Sequence, residues 1–366
     1  MTAVTTPAAD PASSSTVPLR AAIAALPAYV PGARPSGTAW KLSSNENPYP
    51  PLTSVLAAIQ SAATDVNRYP DMYATELVET IAGHVGVDAA QVVVGNGSVA
   101  VLQHVLEAVV EPGDEVLFPW RSFEAYPIIT AVSGGTPVTV PVTADGRLDL
   151  PAMAAAVTGR TRVVLVCTPN NPTGPVVHAD ELDAFLAVVP RDVLVVVDEA
   201  YLEFVRDPQA PDALAVLRAH PNVVVLRTLS KAYGLAGLRV GYALAEPRLA
   251  AGIRAASTPF GVNHLAQRAA IAALQPPAQA EMAQHVDALV AERTRVADAL
   301  REQGWDVPAT QANFVWLATG ERTAELAAAA TAAGVLVRPF AGEGVRVSIG
   351  EVAANDAFLA LAATWR

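Results

Sequence analysis

Lys231 sits in a setting that most lysines do not have. It follows an apolar run at 223–226, Val-Val-Val-Leu, and Thr228 and Ser230 precede it. Glycines stand at 234, 237 and 241, and Arg239 lies eight residues on. Lysine rarely enters a protein interior unpaired. A lysine fixed just past a buried strand, among hydroxyls and an arginine, reads as an amine nucleophile whose neighbours hold a phosphate. That chemistry needs partners elsewhere in the chain. Three more junctions supply them.

Gly95-Asn96-Gly97-Ser98 closes one apolar run and opens a helical one. Glycines let the backbone approach an anion, and the free N–H groups and dipole of a helix start favour phosphate. The stretch at 168–174, Thr-Pro-Asn-Asn-Pro-Thr-Gly, is turn chemistry that also offers the Asn171 amide to a phenolic oxygen or a carboxylate. Asp198 ends a third apolar run, with Tyr201 three residues on. An acid there is either a helix cap or the group that keeps a pyridine nitrogen protonated. An imine-forming lysine, a carboxylate for a ring nitrogen, a helix-start cradle and an arginine together describe a site for pyridoxal 5'-phosphate.

These residues must be held by a regular frame. Apolar runs at 92–94, 115–118, 137–142, 163–167, 193–197 and 223–226 read as strands, and helical spacing at 99–110, 150–157, 179–188 and 212–219 separates most of them. That alternation predicts an α/β fold, a mostly parallel mixed sheet covered by helices on both faces. Ligands of such sheets bind beyond the carboxyl ends of the strands, which is where all four junctions fall. After Tyr242 the pattern changes to a long helix at 281–303 and strands at 314–317, 336–339 and 345–349, a smaller α+β domain. The expected division is a disordered tail at 1–17, an N-terminal segment at 18–40 packing with the small domain, a large cofactor-binding domain at 41–258 and the small domain at 259–366.

Composition narrows the function classes. The 366 residues are 52% hydrophobic and 16% charged, a globular balance. With 24 basic against 35 acidic side chains, a net charge of −11 and no basic cluster, nucleic acid and anionic membrane are poor partners. Cys167 is the only cysteine, so no disulfide framework or thiol metal site is expected, and a reducing cytoplasm suits the chain. The N-terminal tail lacks a basic region followed by an apolar core and does not read as a signal peptide.

From about residue 19 to 366 the chain resembles the fold-type I pyridoxal phosphate aminotransferases of the histidinol-phosphate aminotransferase group, and within it the actinobacterial aromatic amino acid branch. The resemblance rests on SSNENP, NRYPD, GNGS, WRSFEAYP, PNNPTG, VVVDEAYLEF, RTLSKAYGLAGLRVGY, ANFVWL and GVRVS. It implies that Lys231 forms the Schiff base, Asp198 pairs with the pyridinium nitrogen, and Asn171 and Tyr201 bond the ring oxygen. Phe123 would stack on the ring. Gly97, Ser98, Val99, Thr228, Ser230 and Arg239 would hold the phosphate, with Tyr69 reaching it from a neighbouring subunit of a homodimer with a composite site. Arg346 would take the substrate carboxylate, and Tyr29, Asn45 and Arg338 would line the side-chain end of the pocket beside Asn171. Histidinol-phosphate enzymes usually continue the arginine at 338 with an acid and place another acid after the phosphate-loop serine. Here Pro339-Phe340 and Val99-Ala100 stand instead. Both departures point to transamination of phenylalanine, tyrosine and their 2-oxo acids with glutamate or 2-oxoglutarate; histidinol phosphate is the alternative substrate.

Overall fold

Along two neighbouring strands, successive side chains are buried on opposite faces. Val195 and Val197 join one apolar cluster, Leu194 and Val196 the other; Val223 and Val225 likewise alternate with Val224 and Leu226. Period-two burial on both faces is what a covered parallel sheet requires. The computed structural model describes residues 17–26 and 39–365.

The described chain begins with a short helix α1 (Ala21–Ala24) and strand β1 (Trp40–Lys41), followed by α2 (Thr53–Ala62) and α3 (Thr75–Val85). The main alternation then runs β2 (Val92–Gly95), α4 (Ser98–Val109), β3 (Glu115–Trp120), α5 (Ala125–Ser133), β4 (Thr136–Pro141) and α6 (Leu150–Ala155). It continues through β5 (Thr161–Cys167), α7 (Ala179–Val188), β6 (Leu194–Asp198), α8 (Ala213–Ala219), β7 (Val223–Thr228) and β8 (Gly241–Leu244). Helices α9 (Pro247–Ala256), α10 (His264–Ala273) and α11 (Pro276–Glu302) lead to the last part. That part holds β9 (Phe314–Leu317), α12 (Thr323–Ala332), β10 (Val335–Leu336), β11 (Arg338–Phe340), β12 (Gly344–Ser348) and α13 (Val352–Ala362).

The seven-stranded sheet has the order β2-β8-β7-β6-β5-β3-β4. Only β8 runs against its neighbours, so the sheet is mixed but mostly parallel, as expected. Its register sets Cys167 opposite Asp198 and Asp198 opposite Leu226. The loops that leave β5, β6 and β7 therefore emerge side by side. The smaller lobe carries an antiparallel sheet β11-β12-β9 and a parallel pair β1-β10. In α11, Met282, Val286, Leu289, Val296 and Leu300 are all buried, the stripe read from sequence.

One expectation needs correction. The strand foreseen at 336–339 is two strands in different sheets: Leu336 pairs with Lys41, whereas Arg338, Pro339 and Phe340 pair with β12 alone, an edge position that tolerates a proline. Helix α10, just after the boundary expected at 258, packs against α2 and α3 and has Ala266, Ala269, Ala270 and Ala273 buried. In the described part of the 18–40 segment, α1 lies on α5. There Arg20 donates to the carbonyls of Val132 (2.9 Å) and Ala131 (3.3 Å), near the C-terminus of a helix whose last carbonyls lack helical partners. Trp40, at the end of that segment, and Lys41 pair with Val335 and Leu336 of β10.

Gly241 shows how tightly the sheet meets the start of α4. A Cβ there would fall on the backbone nitrogen of Ser98 and lie 2.7 Å from the Gly97 carbonyl carbon. Backbone cannot swing aside as a side-chain tip can. Gly241→Ala is expected to lower the unfolding free energy by about 1–3 kcal/mol, measured by denaturant titration. An unchanged midpoint would show that the α4 start yields freely.

Candidate active site

The carboxyl edge of the sheet opens into a cavity of about 320 Å³ between the two lobes. Asp198, the last residue of β6, forms part of its wall and is buried. Its Oδ2 accepts a hydrogen bond from the Tyr126 hydroxyl at 2.7 Å. Its Oδ1 is buried with no hydrogen-bonding partner among the described residues. Burial pushes the Asp198 carboxyl up to about 6, against the stabilising bond from Tyr126. A buried acceptor left open in this way suits an N–H donor supplied by a ligand.

Beside it lies an anion cradle. Helix α4 starts at Ser98 behind Gly97, whose φ of 87° lies in the left-handed region that glycine tolerates. A Cβ on Gly97 would collide with the Arg239 guanidinium. Arg239 itself has φ of 58° and donates to Ser230 Oγ at 3.2 Å. Thr228 Oγ1 lies 3.0 Å from Ser230 Oγ and accepts from the Ser230 N–H at 3.2 Å. Hydroxyls, a helix N-terminus and an arginine thus converge where Ser98, Val99, Thr228, Ser230 and Arg239 line the cavity.

Lys231 reaches the same cavity from the loop after β7. Its Nζ donates to the Ser44 carbonyl at 3.2 Å. Burial, then the charges of Arg346 and Arg239, bring its ammonium down to about 7. Across the cavity Arg346, from β12, donates to Asn171 Oδ1 (2.6 Å) and to the Ser43 carbonyl (2.7 Å). Its guanidinium lies 5.5 Å from the Phe314 ring centroid, and Tyr201 meets Phe314 edge-on at 5.2 Å. The Tyr201 hydroxyl accepts from Asn45 Nδ2 at 2.9 Å, and burial holds its proton on well beyond the ordinary phenol range.

The open carboxylate oxygen, the cradle and the depressed lysine fit a phosphorylated pyridine aldehyde in charge and hydrogen-bonding sense. Comparison with known proteins decides the family: the model for aminotransferase class I and II matches residues 38–360. The chain belongs to that family. This aminotransferase is 56% identical over 97% of its length, and 99% of the relative's, to a Streptomyces avermitilis protein named aromatic amino acid aminotransferase. A Thermobifida fusca protein of the same name is 54% identical over 95% of this chain and 97% of its own. Among solved structures, histidinol-phosphate aminotransferase from Sinorhizobium meliloti, in complex with pyridoxal-5'-phosphate, is 29% identical. It superposes with a TM-score of 0.86 over 96% of this chain and 100% of that one. N-succinyldiaminopimelate aminotransferase from Mycobacterium tuberculosis is 28% identical with a TM-score of 0.81, over 90% and 94% of the two chains.

The aminotransferase fold brings Ser98, Val99, Phe123, Asn171, Asp198, Tyr201, Thr228, Ser230, Lys231, Arg239, Arg338 and Arg346 to one cavity. Gly97 backs the cradle. Asn45 is buried, with φ of 53°, and its side chain bonds Tyr201 and Ser348. Its chain neighbours Ser44 and Glu46 line the cavity. Tyr69 is 85% exposed and rests on Phe260 with centroids 4.9 Å apart, outside this chain's own cavity. Tyr29 lies outside the described residues. Sequence reasoning assigned no role to Tyr126, although it stands within the WRSFEAYP stretch; its signal is a tyrosine three residues after Phe123, one helical turn from the cavity wall. Ser43, Ser44 and Glu46 were equally missed, being polar loop residues with no period to mark them.

An amine with a pKa of about 7 is mostly free base at pH 8, where an ordinary lysine is almost wholly protonated. In cofactor-free protein, labelling of Lys231 by an acylating reagent, followed by mass spectrometry, is expected to rise with a midpoint near pH 7. A midpoint near 10 would show that burial and the two arginines do not depress it.

Proposed function

We propose that this aminotransferase uses pyridoxal 5'-phosphate to exchange amino groups between aromatic amino acids and 2-oxoglutarate, working as a cytoplasmic homodimer. The observation that carries the substrate assignment is 56% identity, over 97% of the chain, to a protein named for aromatic amino acids. When bound, the cofactor supplies an electron sink for the amino acid's Cα–H bond.

The chain's own residues would do the rest. Asp198 would accept the ring N–H and keep it protonated, with Tyr126 fixing that carboxylate through Oδ2. Asn171 and Tyr201 would bond the ring oxygen, Phe123 would cover the ring face, and the α4 start with Thr228, Ser230 and Arg239 would hold the phosphate. Lys231 would hold the cofactor through Nζ and would give and take the substrate's Cα proton. An amine with a pKa near 7 is suited to both giving and taking a proton at neutral pH. Arg346 takes the substrate carboxylate through its planar fork. Tyr69, exposed at the rim of this chain, would complete the phosphate site of a second copy.

Histidinol phosphate remains the second reading, favoured by the 0.86 TM-score to an enzyme of that name. Steady-state kcat/KM for phenylpyruvate is expected to exceed that for histidinol phosphate; the reverse order would move the assignment. The protein loaded with pyridoxal phosphate should show a visible absorption band that bleaches with phenylalanine and returns with 2-oxoglutarate. Lys231→Ala should remove both covalent attachment and turnover. Arg346→Lys keeps the charge but loses the fork, and kcat/KM for phenylalanine should fall roughly 10- to 100-fold, chiefly through KM. Undiminished activity in either variant would overturn the role given to that residue.

A further inference from the structure

A second arginine stands beside Arg346, and the chain itself supplies a counter-charge for it. Arg338 is directly opposite Arg346 in the β11–β12 ladder, so both side chains leave the same face of that sheet. Both are buried and both line the cavity. Arg338 donates to one carboxylate oxygen of Glu124, from Nη2 at 2.7 Å and from Nε at 3.2 Å.

Glu124 belongs to the other lobe. It precedes α5 at the helix-capping position, yet its side chain makes no capping bond to that helix. It reaches across the cavity mouth to Arg338 instead. Its neighbour Phe123 lines the same wall.

A cavity presenting two cations would grip a ligand with two anionic groups at both ends. With Glu124 in place, a second anion has to displace a carboxylate already at hydrogen-bonding distance from Arg338. An uncharged aromatic side chain leaves the pair intact and meets a neutralised wall, where Arg338 lies 5.8 Å from the Phe340 ring centroid. We propose that Glu124 is a specificity-determining residue: by pairing with Arg338 it sets the preference of the site against substrates that carry a second anionic group. Glutamate and 2-oxoglutarate enter only by breaking the pair, so Glu124 also sets the balance between the two halves of the exchange. It is a positioning residue, acting through Arg338. The inference rests on the reading above that Arg346 takes the substrate carboxylate.

The test is an equilibrium one. Glutarate, with two carboxylates, and 3-phenylpropionate, with one, are titrated calorimetrically into the same preparation of cofactor-loaded protein. In Glu124→Gln the ratio of affinities is expected to shift about tenfold toward glutarate. In an Arg338→Gln background the same change should leave the ratio where it was. A ratio within twofold of the native one, an equal weakening of both ligands, or a shift that persists without Arg338 would each overturn the proposal. A partly folded variant alters the stoichiometry and not the ratio. The aromatic reading fails separately, on the rate of amino transfer from phenylalanine by the native protein, which these titrations do not use.

Discussion

The chain carries a carboxylate to the end of its central strand and leaves one oxygen there without a hydrogen-bonding partner among the described residues. Asp198 is buried at the tip of β6, flanked in register by Cys167 and Leu226. An unmatched buried acceptor costs about 1–3 kcal/mol. Tyr126 holds the other oxygen, Oδ2, and Asp198 forms part of the cavity wall. The neighbouring features follow from this placement. Parallel pairing of β5, β6 and β7 brings the Asn171 loop, Asp198 and the Lys231 loop out on the same edge. The antiparallel β8 lies next to β2, and Gly241 there lets the start of α4 come down to the sheet.

Charge is distributed around the cavity with opposite consequences for its titratable groups. Burial raises Asp198 to about 6 and Cys167 to about 12 and lowers Lys231 to about 7. Arg346 and Arg239 act on Lys231 in the same direction as burial. The result is an amine that is a usable base near neutrality and, in the same cavity, an acid that holds its proton up to about pH 6.

The two lobes are joined through the site itself. Arg346 of β12 bonds Asn171 of the large lobe, Arg338 of β11 bonds Glu124, and Arg121 after β3 bonds Glu343 beside β12. Each is a charged or charge-assisted contact between groups that are at least partly sheltered from water, where such bonds are stronger than on an open surface. Arg346 and Arg338, which both line the cavity, are thereby tied to the opposite lobe.

The residue order alone determined the strand-and-helix alternation of the large lobe, the lysine, the acid and the cradle, because each rests on local rules: a buried run, a glycine turn, a helix start. It did not reveal β8 at 241–244, hidden within a motif read for its glycines, nor the helices α5, α9 and α10. The break between Leu336 and Arg338 was equally invisible, since one apolar stretch serves two sheets. Only the tertiary structure decided that Tyr126 buttresses Asp198, that Asn45 bonds Tyr201, and that Glu124 answers Arg338 from 214 residues away. Those contacts join residues with no sequence periodicity in common; their partners are chosen by which strand ends and loops the packed sheet sets face to face.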